Sequence, residues 1–401
     1  MLCRCRNYNR SDPGLSNSII MVSRKLRTEK EMKLAIDNLA GLLRLEFQYI
    51  AGTNALASST MIPVETLKIL PTVHAHWRPT IFEWFYKIID HFLLERGVVA
   101  IAMDYVDRFL FQHPPDDIDA MSIRMYQLVA MTSLYIAMKL HGGNEEGDEI
   151  SPWKIKRKTF CVKGFVKLSR GQFVPEDIVT METTIFKTLG WKMNPVTAMC
   201  CMDGYMALMP LPEELYRRPE MKKQDLGRLR LGYHVLRELS RYLVELAVCI
   251  KGITPYFQTE FSGPSMNSLS PSIVAYAGVL LAMDMMTTTA VTTEARDIFL
   301  RRLAEGQSIM TSEEQAFAPL AESYMRFEPN RLEVLKIKNL IHKNFVPSLV
   351  LGSLPSNNGG AGKMHPFKMA HKAGFFNARF FQKENEALPK SPTSPLEEEL
   401  M

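Results

Sequence analysis

The chain has 401 residues, 46% hydrophobic and 23% charged, with a formal net charge of +5. That length allows two or three domains around a sizeable core, and the composition is that of a globular protein rather than a fibrous or disordered one. The charge fits a nuclear protein or an acidic partner and is too weak to demand nucleic acid.

The six cysteines, Cys3, Cys5, Cys161, Cys200, Cys201 and Cys249, contain no C-x-x-C pair, which argues against a zinc ribbon. The N-terminal "MLCRCRNYNR" has no apolar signal core, so a reducing intracellular compartment is expected. The longest apolar run, Ile273 to Met286, is interrupted by Asp284 and falls short of the roughly 20 residues a bilayer needs. No membrane span is expected.

In chain order, residues 1–27 are expected to be disordered. Thr28 and Glu31 have the spacing of a capping box, which opens an N-terminal helical segment over 28–70. A second helix is expected to begin near Pro79, with a buried stripe of Ile81, Trp84, Phe85, Ile88, Ile89 and Phe92. "VVAIAMDYVDRFLF" is the next helix. "LVAMTSLYIAMKL", residues 128–140, follows, apolar on almost every side but carrying Lys139 at its tip and stopped by Gly142-Gly143. "PEDIVTMETTIFKTLGW" starts at Pro175, buries Ile178, Met181, Ile185 and Leu189, and ends at Gly190.

The second half repeats this logic. An amphipathic "GYHVLRELSRYLVELAVCI" precedes a second all-apolar helix, "IVAYAGVLLAMDM", residues 273–285. The two apolar segments overlay without a gap: Val129 on Val274, Ala130 on Ala275, Ala137-Met138 on Ala282-Met283, and Lys139 on Asp284. A helix that is apolar all round must lie among other helices, so two of them imply two bundles, over 71–195 and 196–350. Alternating strand patterns are nearly absent, and the fold class is all-α. From 351 to 401 the composition turns loop-like and Pro-rich, and a disordered tail is expected.

Catalytic signatures are missing. There is no H-E-x-x-H, G-x-S-x-G or Rossmann glycine pattern. "GGAGKM" fails as a phosphate loop because Asn357 stands where Gly is needed and Met364 follows Lys363. His74 and His76 form an isolated H-x-H. Neither cofactor nor metal is expected, and a binding or regulatory role takes the lead.

Four segments, "WRPTIFEWFYKIIDHF", "AMDYVDRFL", "QLVAMTSLYIAMKL" and "METTIFKTLGWKMNP", resemble in order and spacing the successive helices of a cyclin box over residues 77–195. The resemblance implies an all-α protein of two tandem five-helix bundles, an N-terminal helix and a regulatory tail. It also implies a non-enzymatic subunit that binds and activates a cyclin-dependent kinase, in the nucleus and cytoplasm. Arg78 and Asp107 match a structural ion pair of the family; both flank apolar stripes, so pairing would offset their desolvation. Lys139 and Glu182 match the residues that grip the kinase's mobile regulatory helix. A helix dipole favours Lys139 by about 0.3–1 kcal/mol but would disfavour Asp284, so the dipole does not explain both copies. Phe82, Ile136 and the apolar flank of the 178–186 helix fit either the interface or the core.

A substrate-docking patch would comprise Trp77, Ile81, Trp84 and Gln127, with Ile81 and Trp84 equally compatible with core. Departures there are Thr80, Lys87 in place of an acid, and Ile123 in place of Arg. The stretch after Lys139 is longer and more basic than the family's; it could alter kinase choice, direct nuclear import through "KIKRK", or be a solvated loop. In the tail, Lys383, Glu384 and Asn385 resemble the KEN degradation signal of the anaphase-promoting ubiquitin ligase. Ser391 and Ser394 precede prolines as phosphorylation candidates, and "AGFFNARFF" suggests an exposed partner-binding segment. The rival readings are a paired-fold, DNA-binding transcription factor resembling factor IIB and an orphan scaffold that binds no kinase.

Overall fold

The computed structural model describes residues 28–59, 64–92, 94–112, 123–142, 161–215, 223–250, 270–313, 328–347 and 366–381. Among them every regular element is a helix, apart from one isolated bridge between Met286 and Phe376. The helices are α1 (Glu29–Ser59), α2 (Val64–His91), α3 (Gly97–Gln112), α4 (Ile123–His141), α5 (Val162–Leu168), α6 (Pro175–Thr188) and α7 (Ala198–Leu208). Then come α8 (Pro212–Leu215), α9 (Lys223–Cys249), α10 (Pro271–Met285), α11 (Thr293–Glu313), α12 (Leu332–Asn344), α13 (Pro366–Lys372) and α14 (Ala378–Phe381).

Two cores follow from the two apolar helices. Helix α4 is buried from Val129 to Met138, with α3, α5 and α6 packed on it and α2 on α3. Helix α10 is buried along nearly its whole length, with α7, α9 and α12 around it. Each fully buried Leu, Ile or Phe in these cores contributes about 1.5–3 kcal/mol. Helix α9 can lie close to α10 because Gly278 has no side chain: a Cβ there would fall 2.8 Å from Val244 Cγ2.

Local signals set the ends. The Thr28 amide donates to Glu31 Oε2 (2.7 Å) and the Glu31 amide to Thr28 Oγ1 (3.2 Å), a reciprocal cap. Pro175 opens α6, and Gly190 follows it at φ +57°. Ser270 accepts from the Ile273 amide and caps α10.

Three expectations need correction. Helix α2 does not begin near Pro79; it runs from Val64 through Pro79. Pro79 is exposed there, and burial of Ile81, Phe82, Phe85, Ile88 and Ile89 beyond it outweighs the one backbone hydrogen bond that proline forfeits. Part of the tail is folded rather than disordered: residues 366–381 strap across the second bundle, with Ala370 and Phe375 fully buried. The Thr287 amide donates to the Phe375 carbonyl (2.8 Å) and the Asn377 amide to the Met285 carbonyl (2.9 Å). The "AGFFNARFF" aromatics are thus an internal seam, not an exposed cluster. Lastly, the basic stretch after Lys139 is not all loop, since α5 lies within it.

Helix α1 joins the two halves. Its Ile36, Leu39, Ala40 and Leu43 enter the second core. Glu46, also buried, accepts from the Ser272 amide (2.7 Å) at the start of α10. Farther along, Tyr49 reaches the linker between the bundles.

Candidate functional site

The site is the end of α4 and the outer face of α6. Because α4 is buried from Val129 to Met138, its last turn returns the helix to solvent, and Lys139 and Leu140 emerge there. Helix α6 turns Ile178, Met181 and Ile185 onto the core, which leaves Val179, Glu182 and Phe186 on the adjoining face at i, i+3 and i+7. Lys139 Nζ lies 3.0 Å from Glu182 Oε1, the Lys139 side chain 50% and the Glu182 side chain 14% exposed. The hydrogen bond to Glu182 pushes the ammonium pKa up, against a smaller opposing effect of burial. The ammonium also lies 5.6 Å from the centre of the Tyr135 ring.

An aromatic shelf flanks this pair. Trp191 is 71% exposed and stacks on Phe186, ring centres 4.9 Å apart. It holds a left-handed backbone, φ +62°, which is uncommon for a residue with a side chain. Leu140 and Val179 are exposed as well. Sequence reasoning missed Trp191, for which the Gly190-Trp191 turn after α6 is the one local signal.

The chain beyond Trp191 is fastened. The Lys192 carbonyl accepts from Tyr49 Oη (2.9 Å) and Arg108 Nη2 (2.8 Å). The Met193 carbonyl accepts from Tyr105 Oη, and His141 Nε2 lies 3.0 Å from it. Arg108 is itself held by Asp104 (2.8 Å) and stacks over the Tyr49 ring. Burial lowers the His141 pKa, so the ring stays neutral at physiological pH.

Arg78 and Asp107 meet. Arg78 Nη2 lies 3.0 Å from Asp107 Oδ2, both side chains no more than 5% exposed, and Arg78 Nη1 donates to the Val248 carbonyl at the end of α9. One guanidinium therefore joins α2, α3 and the second bundle. Arg96 adds a second tie, to Glu245 (2.7 Å).

The docking-patch residues differ in burial. Ile81 is core, as are Phe82 and Ile136. Trp77 is half-buried edge-on against Tyr126, and Trp84 is half-buried against Phe85. Gln127 is half-buried too. Lys87 pairs with its neighbour Glu83 (2.9 Å). Lys383, Glu384, Asn385, Ser391 and Ser394 lie outside the described residues, as do the "GGAGKM" stretch and the side chains of His74, His76 and Ile123. Among the described residues no group of three or more His, Cys, Asp or Glu is placed to hold a metal, and no helix is long and apolar enough to cross a membrane.

Residues 48–194 match the family profile described as "Cyclin, N-terminal domain". The chain is 25% identical over 202 residues to the G1/S-specific cyclin-E1 of Gallus gallus, covering 46% of this chain and 45% of that protein. It is 29% identical over 139 residues to the G1/S-specific cyclin-E of Caenorhabditis elegans, covering 35% of this chain and 23% of that one. The chain thus spans less than half the length of these curated relatives. The X-ray structure of a viral cyclin from herpesvirus saimiri aligns with 76% of this chain and 97% of its own, at 14% identity and a TM-score of 0.36, too loose a likeness to carry an argument.

Proposed function

Because the chain belongs to the cyclin family, we propose that it is the regulatory subunit of a cyclin-dependent protein kinase, binding and activating it in control of the cell cycle. The observation that carries this reading is the Lys139–Glu182 couple, half in solvent at Lys139 and borne on two helices anchored in the first core. A cation and an anion 3.0 Å apart offer a partner helix one acceptor and one donor in fixed positions. Val179 and Phe186 stand three residues before and four after Glu182 on α6, Trp191 stacks on Phe186, and Leu140 follows Lys139, so apolar area adjoins the couple, the usual arrangement of an interface core. A surface that binds the active kinase conformation better than the inactive one shifts the kinase toward activity. The ATP chemistry then belongs to the partner.

The setting we infer is the nucleus and cytoplasm, with the cell-cycle phase of the G1/S-named relatives as the first to examine. The KEN-like Lys383, Glu384 and Asn385 would serve turnover by the anaphase-promoting ubiquitin ligase, and Ser391 and Ser394 would be phosphorylation sites. Trp77, Trp84 and Gln127 remain the residues to substitute in a test of substrate docking.

The test is affinity capture of the full chain followed by an in vitro kinase assay, with the native protein beside Lys139→Glu plus Glu182→Lys. The native protein should recover an active cyclin-dependent kinase and the charge-swapped one should not. Equal recovery by both would remove the assignment.

A further inference from the structure

Residues 151–174 contain Lys154, Lys156, Arg157, Lys158, Lys163, Lys167 and Arg170, and no Asp or Glu. The whole chain is only +5, so this one stretch holds more than all of its net positive charge and the remainder is net negative. Such a block repels itself and is not a by-product of a basic composition.

The structure shows what the described part of the block does with its charge. On α5, Phe165 is buried edge-on against Tyr135, ring centres 5.1 Å apart, and Ser169 is buried, its hydroxyl donating to the Val166 carbonyl. Those residues fix the orientation of the helix. Lys163 and Lys167, at i and i+4, take the opposite face, Arg170 lies in the turn just beyond the helix, and all three are exposed. Arg170 and Gly171 close the helix at φ +52° and +80°. Among the described residues none of the three cations has a carboxylate within ion-pair distance. Elsewhere exposed cations do find acids, as Lys87 finds Glu83. Tyr135, which braces α5, is the ring beneath Lys139, so the stripe stands on the helix that buttresses the candidate site.

We propose that the Lys163–Lys167 face of α5, together with Arg170 in the turn that follows it, is a second contact surface that docks an acidic, carboxylate-rich segment of the kinase held at Lys139 and Glu182. The inference rests on the kinase-binding reading and adds to it a partner chemistry and a place. Its role is steering and selection among kinases: like charges on an unsuitable kinase would be repelled, and an acidic segment would be drawn in before the apolar shelf engages.

The experiment uses the full chain, the kinase subunit recovered in the capture assay and then purified, a fluorescein-labelled poly-glutamate peptide, and a labelled DNA duplex. Affinities of native protein, K163E/K167E/R170E and K139E/E182K are measured from about 50 to about 300 mM salt. Thermal melting checks that each variant is folded; the three stripe residues are exposed, so their reversal should leave the melt unchanged. The expected result is that stripe reversal weakens kinase binding about tenfold at low salt and flattens its salt dependence. Poly-glutamate should bind the native chain and not the reversed one, and K163Q/K167Q/R170Q should lose less than reversal does. Unchanged kinase affinity and salt slope in the stripe variant, with binding abolished in K139E/E182K, would overturn this inference and leave the kinase-binding reading standing. Full binding by both variants would overturn both. Loss of duplex binding with kinase affinity intact would make the stripe a nucleic-acid surface and also overturn it.

Discussion

Lys139 and Asp284 sit at matching positions near the ends of the two central helices, with opposite charges, and each is neutralised from a neighbouring helix. Lys139 meets Glu182 of α6. Asp284 meets Arg296 of α11 (2.6 Å) and Lys338 of α12. The first couple is half exposed at Lys139, whereas no side chain of the Asp284 network is more than a third exposed. The same helix position thus serves as surface in one bundle and as internal fastening in the other.

Lys139→Ala should cost less than about 1 kcal/mol of stability, because an exposed ion pair contributes little. Kinase recovery should nevertheless fall sharply. Thermal melting and the capture assay on one preparation measure both, and a large loss of stability would make Lys139 a structural residue.

Arg78→Ala should destabilise by about 3–5 kcal/mol, since it takes the Arg78 charge away from the buried Asp107 carboxylate. Arg78→Lys should recover only part of this, because a single ammonium nitrogen lacks the planar fork that sends Nε and Nη2 to Asp107 and Nη1 to the Val248 carbonyl. Urea denaturation distinguishes the two, and equal stability of the Lys variant and the native protein would refute the bridging role.

Asp284→Asn tests the second network through pH. Burial alone would raise the Asp284 pKa, but the hydrogen bonds from Lys338 and Arg296 outweigh it and hold the carboxyl below its ordinary value of 3.8. A lowered folded pKa means the contribution is present above the ordinary value and is lost as pH falls through the folded one. The stability gap between native and variant should therefore stay constant from neutral pH down to about 4 and close below it.

Glu46 has the opposite sign. Burial raises its carboxyl from 4.5 to about 7, against the lowering effect of its hydrogen bonds with Ser272. The charged form is disfavoured in the folded state, so stability falls as pH rises from 4.5 through 7. Glu46→Gln keeps an acceptor for the Ser272 amide and removes that cost. It should be more stable than the native protein by up to about 3 kcal/mol near pH 8 and equal to it below about pH 4.5. Melting curves across that range decide the matter.

Phe375→Ala should cost about 3–5 kcal/mol, as for any fully buried ring truncated in a core. A tail that did not fold would show no change. Chemical denaturation of the full chain gives the answer, and proteolysis within residues 366–381 should accelerate in the variant.

What could be read from the chain divides by range. The Thr28–Glu31 cap, the start at Pro175 and the end at Gly190 follow from rules spanning a few residues, and they were legible. The convergence of Arg78 and Asp107 was legible from the cyclin-box resemblance, with the burial of the apolar stripes they flank as its physical reason. The extension of α2 through Pro79 was not, because packing of its apolar face overrides a local breaker. Nor was the strap at 366–381: its hydrophobic residues are surrounded by loop-like composition, and their partners, Met285 and Thr287, are distant in sequence. Phe82 and Ile136 could not be assigned to core or interface from periodicity, since a helix apolar on most sides has no evident outer face. Trp191 depends on a left-handed turn, which no hydrophobic pattern reports.

Consecutive carbonyls of Lys192 and Met193 are held by donors from α1, α3 and α4, so the two bundles are riveted where a hinge would otherwise be. A visitor to the Trp191 shelf meets a shape settled before it arrives. Little chain entropy remains to be lost on contact, and the speed of complex formation should track diffusion and ionic attraction rather than a slow rearrangement.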